Sequence, residues 1–376
     1  MWSVDPDHKG IVPMGPVCRN ALLYLMNAGG RIMNKRIVFC ADGTWDNSGK
    51  NTNVYRIFKA MQTTADQVPY YDDGVGSDGL PLEKLTGGAF GAGLFQKIKD
   101  GYTKIAQVYE QGDEVFLFGF SRGAYTARCL GGMIAICGLP TASFTNDAVE
   151  TAFQAYRNKD QRAALLAQLN QTCNLFDAKL SMIGVWDTVG SLGIPAIFGG
   201  VSPLIYGFLD TSLHPDVLHA YHALAIDERR AEFPATLWTA SAPGQTLEQV
   251  WFCGVHCEVG GSYPDDPDGT ALSDLTLAWM MSKAAALGVE FDPTVAAKYS
   301  LPMDPKYALD TKHESWNLLW AFPRRRPIDA ESTIASSVFL RTENDGSYRP
   351  GNLTFAGGTL GSGYQKVLVV GQTPNP

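Results

Sequence analysis

The sequence predicts an α/β protein with a mostly parallel central sheet and helices on both faces. Three observations carry that prediction. Apolar runs of strand length alternate with segments of helical periodicity. Several of those runs, EVFLFGF above all, are apolar at successive positions, as strands sandwiched between helical layers are. One run leads straight into Gly119-Phe120-Ser121-Arg122-Gly123, with a helical segment behind it.

The elements follow in order. KRIVFCADGTWD reads as a β-branched strand ending in a turn. Val54, Ile57, Phe58 and Met61 mark one face of a helix over Asn53–Met61. VPYYDDGVGS is a second strand running into a Gly-rich loop, and LFQKIKDGYTKIAQVYEQ a second helix. After EVFLFGF comes RGAYTARCLGGMIAICGL, a helix ended by Gly138 and Pro140. A polar helical stretch spans about Asp147–Gln171, and KLSMIGVWD is the next buried strand. HPDVLHAYHALAIDERR reads as polar or helical, and LEQVWFCGVH as a strand. LSDLTLAWMMSKAAALG is a helix capped by Ser273, with Gly288 beyond its end. The expected organisation is an extension over 1–33 upstream of a native start at Met33, a domain over 34–300, and a loop-rich segment over 301–376 packed on it. An insertion about 190–245 holds the apolar, Gly- and Pro-broken stretch Leu192–Leu209, read either as a lid or acyl-binding wall or as ordinary buried loop packing.

Composition narrows the function. The chain has 376 residues, 45% hydrophobic, enough for a large core. Its formal net charge of -8 argues against nucleic acid, which needs clustered Lys and Arg. The run Arg324-Arg325-Arg326 is short and reads as a solvated loop. Seven scattered cysteines form no paired zinc array and read as free thiols in a reducing compartment. No apolar run approaches the ~20 residues of a membrane span. A cytoplasmic location is expected, with secretion the alternative if ALLYLMNAGG belongs to a signal.

The chemistry concentrates at Ser121. A Gly-x-Ser-x-Gly turn between strand and helix is the setting of a nucleophile elbow, as in α/β-hydrolases. Gly119 and Gly123 leave room for the tight turn, which lifts the hydroxyl above the sheet. A serine needs a base, and the hydrolase order is serine, acid, histidine. Downstream of Ser121 and before the tail lie His214, His219, His222 and His256. His256 closes VWFCGVH at the same sheet edge, while the other three read as surface or packing residues. Asp187 closes SMIGVWD and is the expected acid; Asp216 and Asp227 follow no apolar strand. The Arg122 amide and that of Gly43 or Thr44 are expected to form the oxyanion hole, with Asp42 fixing the ADGTWD loop. DGT lacks the phosphatase nucleophile, since Cys40 stands in its place; DGVGSDG and GGAFGAG lack the Walker lysine. DDPDG is a turn, lacking the full spacing of a calcium loop.

The pieces DGTWD, GFSRGAYTAR, GVWDTVGSLG, HALAIDERR and VWFCGVHCEVGGSY, with SSVFLR and YRPGNL in the tail, resemble one family. It is the uncharacterised α/β-hydrolase-domain family related to the phospholipase effectors of type VI secretion. The resemblance implies Ser121 as nucleophile, Asp187 as acid and His256 as base. Glu258 stands where the family carries an aspartate after the histidine, and is expected to support it. The expected activity is hydrolysis of lipid or other acyl esters through an acyl-enzyme, without metal or organic cofactor. A thioesterase or amidase would share the mechanism, and a non-enzymatic binding module is the alternative of a different class.

Overall fold

In a computed structural model of the chain, the described residues are 34–43, 51–74, 87–141, 144–189, 211–317, 320 and 322–371. Eight strands build one sheet: β1 (Arg36–Ala41), β2 (Gln67–Asp72), β3 (Glu114–Phe120), β4 (Leu180–Trp186), β5 (Val217–Ala225), β6 (Thr246–Phe252), β7 (Thr333–Ala335) and β8 (Gln365–Val367). Their order across the sheet is β8-β7-β6-β5-β4-β3-β1-β2, and every pairing is parallel.

Two helical layers cover the sheet. One contains α1 (Asn53–Ala60); the other contains α2 (Gly87–Val108), α3 (Arg122–Cys137), α4 (Asn146–Arg157) and α5 (Arg162–Thr172). The first layer is completed by the short α6 (His256–Gly260), α7 (Leu272–Ala286) and α9 (Ser336–Asn344), with α8 (Pro293–Lys298) at its border. Strand alternation divides the core between the layers. Val38, Cys40, Phe116 and Phe118 pack into the layer of α1 and α7, while Ile37, Phe39, Val115 and Leu117 pack into the layer of α3. Each fully buried Phe stabilises the fold by about 1.5–3 kcal/mol. This is the two-faced parallel sheet of an α/β-hydrolase-like fold.

The structure corrects several sequence readings. The segment holding His214, His219 and His222 was expected to be polar or helical. His219 and His222 instead lie on β5, whose inner positions are fully buried. That strand sits mid-sheet between β4 and β6, so the expected insertion about 190–245 contains part of the fold's centre. Its partners β4 and β6 shield both of its edges, so it tolerates polar residues at its open end without turning helical. The lid reading of Leu192–Leu209 lies outside the described residues. The C-terminal segment is more ordered than expected: it supplies β7, β8 and α9. Ser273 does not cap α7. The N-cap is Ala271, whose amide donates to Asp274 Oδ2 at 3.3 Å, while the Ser273 hydroxyl accepts from Arg56 at 3.2 Å. Gly138 and Gly288 do end their helices, both at positive φ, 69° and 96°.

Candidate active site

Parallel pairing brings the strand ends to one rim, where sites form in open α/β sheets. β3 ends at Phe120, paired with Trp186 at the end of β4, which pairs in turn with Ala223 of β5. Two amides carry that register past the strands: Ser121 N–H donates to the Trp186 carbonyl at 3.0 Å, and Asp187 N–H to the Ala223 carbonyl at 2.8 Å. Ser121 and Asp187 thus leave adjacent strands side by side.

At Ser121 the chain turns from β3 directly into α3. Ser121 has φ 57° and ψ −116°, a conformation a non-glycine residue adopts only under strain. The turn is tight enough to exclude side chains on either side. A Cβ on Gly119 would lie 2.3 Å from the Gly123 carbonyl oxygen, and one on Gly123 would lie 2.0 Å from that of Ala41. Both glycines are therefore required by close backbone approach. Asp187 also takes positive φ, 43°, which aspartate tolerates better than most residues.

His256 reaches the same rim four residues beyond β6, as the first residue of α6. Its Nε2 lies 2.8 Å from Ser121 Oγ, and its Nδ1 lies 2.6 Å from Asp187 Oδ2. The imidazole is held between aromatic rings, with Phe120 4.6 Å and Phe233 5.0 Å away between centroids. The α6 backbone is pressed against Phe120: a Cβ on Gly260 would fall 1.9 Å from that ring. Exposure is 6% at Ser121, 4% at His256 and none at Asp187, so the chain of hydrogen bonds lies largely out of water.

Burial lowers the His256 imidazole from its ordinary value, and the Asp187 carboxylate opposes that shift without cancelling it. The ring is therefore neutral at pH 7, with one nitrogen able to accept a proton. Burial alone would raise Asp187. The Arg326 guanidinium and the His256 bond outweigh burial and hold the carboxyl well below the usual carboxylate range.

The backbone amide of His256 donates to Glu228 Oε2 at 3.3 Å. Glu228 is clamped by Arg230 at 2.8 and 2.9 Å and by the Ser315 hydroxyl at 3.0 Å. Glu258 closes the α6 turn, with Oε2 accepting from the Val255 amide at 2.7 Å and Oε1 lying 2.9 Å from His313 Nδ1. It thereby positions the helix that starts at His256.

Arg122 is the first residue of α3, so its amide belongs to the positive end of that helix. The Gly43 amide donates to Asp42 Oδ1 at 2.7 Å, which weighs against it as an oxyanion donor; Thr44 lies outside the described residues. Asp42 ties the end of β1 to its surroundings: its Oδ2 also accepts from Thr52 at 2.5 Å and from Tyr71 at 2.8 Å.

His222 is fully buried, and its Nε2 accepts from the Thr188 amide at 3.1 Å. Burial first, and the Arg128 charge after it, lower its pKa to about 3. It is a neutral packing residue beneath the site. Among the described residues no group of three His, Cys, Asp or Glu is arranged to hold a metal ion. The six cysteines among them, Cys253 and Cys257 included, are unbridged.

Arg326 corrects a further reading. The arginine run was taken for a solvated loop, and Arg324 and Arg325 are indeed exposed. Arg326 is buried, with its two terminal nitrogens 2.5 and 2.9 Å from the two oxygens of Asp187. No local pattern distinguishes it from its two neighbours. Glu228 was likewise invisible, since its pairing with Arg230 depends on the turn after β5.

The fold and the serine–histidine–carboxylate arrangement at its rim describe an α/β-hydrolase-like protein. The chain belongs to the family of Tle1-like phospholipase effectors of type VI secretion, whose catalytic domain matches residues 35–283. An uncharacterized protein of Saccharomyces cerevisiae is 29% identical over a 246-residue alignment that covers 58% of this chain. The chain spans 35% of that relative's length. A crystal structure of an uncharacterized protein from Pseudomonas aeruginosa has a TM-score of 0.45 at 16% identity, over 78% of this chain and 51% of that one. No helix among the described residues is long and apolar enough to cross a membrane.

Proposed function

We propose that this protein is a serine hydrolase that cleaves acyl esters of lipids, phospholipids first among them. The observation that carries the reading is the continuous hydrogen-bonded line from Ser121 Oγ through His256 to Asp187, beginning on a strained elbow. Family membership supports the phospholipid class.

Ser121 Oγ attacks the ester carbonyl carbon as His256 Nε2 removes its proton. Asp187 holds the ring with Nδ1–H toward the carboxylate and stabilises the imidazolium. Negative charge on the carbonyl oxygen develops beside the α3 N-terminus, where the Arg122 amide donates. Imidazolium then protonates the leaving alcohol, leaving an acyl-enzyme on Ser121. Water attacks that ester, His256 again takes the proton, and the carboxylic acid departs. Every group required is a side chain or amide of this chain.

The direct test is a panel of aryl esters of increasing chain length, glycerophospholipids and acyl thioesters, run beside Ser121→Ala. Release of fatty acid from glycerophospholipid by the wild type alone is the expected result. Turnover unchanged in Ser121→Ala would refute the reading, and turnover of thioesters alone would move the substrate class.

A further inference from the structure

We infer that Arg326 is a positioning residue for the hydrolytic reaction: it holds the Asp187 carboxylate as an oriented anion and braces the Phe233 wall of the His256 ring. This rests on Ser121, His256 and Asp187 forming the proposed triad.

The Asp187 carboxylate makes four hydrogen bonds to three partners. Oδ1 accepts from Arg326 at 2.5 Å and from the Ala225 amide at 3.0 Å; Oδ2 accepts from Arg326 at 2.9 Å and lies 2.6 Å from His256 Nδ1. The parallel fork of the guanidinium matches the carboxylate plane, so it fixes orientation as well as charge. With one Oδ2 direction directed at the imidazole, the carboxylate cannot swing away from it.

The cation itself has no other outlet. Arg326 is 4% exposed. Its remaining N–H groups go to backbone: Nε to the Phe233 carbonyl at 3.1 Å, one terminal nitrogen to the same carbonyl at 2.8 Å, and the other to the Ala225 carbonyl at 3.0 Å. Phe233 is the residue whose ring lies edge-on to His256. One guanidinium thus ties together the acid behind the imidazole and the aromatic wall beside it.

Position in the chain adds a consequence. The family-matching region ends at residue 283, and Arg326 lies beyond it. The C-terminal segment therefore completes the site, through Arg326 on Asp187 and through Ser315 and His313 on the carboxylates flanking His256.

The sign of the pH effect follows from the charges that face these groups. Around His256 stand Asp187, Glu228 and Arg230; around Asp187 stand His256, Arg326 and the neutral His222. Removing the Arg326 charge lets the imidazole keep a proton more readily, and lets burial raise the carboxyl. Both changes move the acid limb of reactivity to higher pH.

The readout is the rate of Ser121 labelling by a fluorophosphonate, followed against pH with the full-length chain. Arg326→Gln should label about 10²-fold more slowly at pH 8, the scale of a misplaced catalytic group. Its acid limb should move up by about 1–3 pH units. Arg326→Lys restores the charge without the fork, so it should keep the wild-type acid limb and recover part of the rate. A Gln variant of native circular dichroism with an unmoved acid limb and a rate within about threefold of wild type would overturn the inference. Should the Gln variant not fold, the Lys variant decides: full wild-type rate would overturn the need for the fork. Absence of labelling in the wild type would instead sink the triad reading itself, which separates the two failures.

Discussion

At Ser121 two demands meet in one residue: a backbone forced to φ 57°, and a hydroxyl 2.8 Å from an imidazole nitrogen. The first demand favours glycine and the second forbids it. Ser121→Gly should therefore raise the melting temperature, relieving strain of about 1–3 kcal/mol, while abolishing turnover. Ser121→Ala, which keeps the Cβ, should abolish turnover without that gain. A scanning calorimetry comparison of the two variants checks this, and equal melting temperatures would show the turn to be unstrained. His256→Ala should cost about 10⁶-fold in kcat, as groups that act as a unit do. The imidazole is lowered by burial, so the acid limb of kcat/KM should fall below the ordinary histidine value of about 6.5. A limb above pH 7 in the rate profile would mean that the ring is not desolvated as described.

At the scale of elements, the site depends on how closely α3 can approach β1. Gly123→Ala would drive a methyl into the Ala41 carbonyl oxygen, which belongs to backbone and cannot rotate away. Overpacking of this kind costs typically about 1–3 kcal/mol, and here the displaced parts carry Ser121 and the loop after β1. Turnover should fall at least 10²-fold with a modest drop in melting temperature; an unaffected rate would mean that the elbow adapts. The helix bearing His256 is fixed from the far side by Asn53. Its buried amide nitrogen donates to the Val259 carbonyl at 3.1 Å, the Ser273 carbonyl at 2.9 Å and Thr276 Oγ1 at 2.9 Å. Asn53→Ala leaves those acceptors without that donor and should cost about 1–3 kcal/mol, read as a shift in urea midpoint. Much of this was legible in the sequence. β3, β4 and β6 are apolar runs, and Ser121, Asp187 and His256 stand at or just past their ends. Burial on both faces leaves that signature without help from tertiary context. β5 was misread because HPDVLHAYHALA starts polar, and its two histidines hide a strand whose edges are both covered by neighbours. Asn53, Glu228 and Arg326 were not legible at all, because each acts on residues remote in the chain, from 28 positions for Glu228 to 223 for Asn53.

For the molecule as a whole, the charged and titratable groups under the rim tie stability to pH. His222 is neutral and buried in the native state, with a pKa near 3, and titrates normally once unfolded. The unfolded chain therefore binds the extra proton first on acidification. Stability is fully present above about pH 6.5 and is lost progressively as pH falls from there toward 3. Asp187, also lowered by folding, adds a loss that begins near its ordinary carboxyl value. His222→Gln should be less stable at pH 7, and its unfolding free energy should fall less steeply between pH 6.5 and 4; an unchanged slope would show that His222 is not desolvated. The same burial that makes these groups acid-sensitive keeps water from the line joining Asp187, His256 and Ser121. In the proposed reaction this line activates one hydroxyl among all the serines of the chain. Peptide mapping by mass spectrometry after fluorophosphonate treatment tests it most directly. A single adduct on Ser121, absent from His256→Ala, is the predicted result; an unmodified Ser121 in the folded wild-type protein, or equal labelling in His256→Ala, would contradict it.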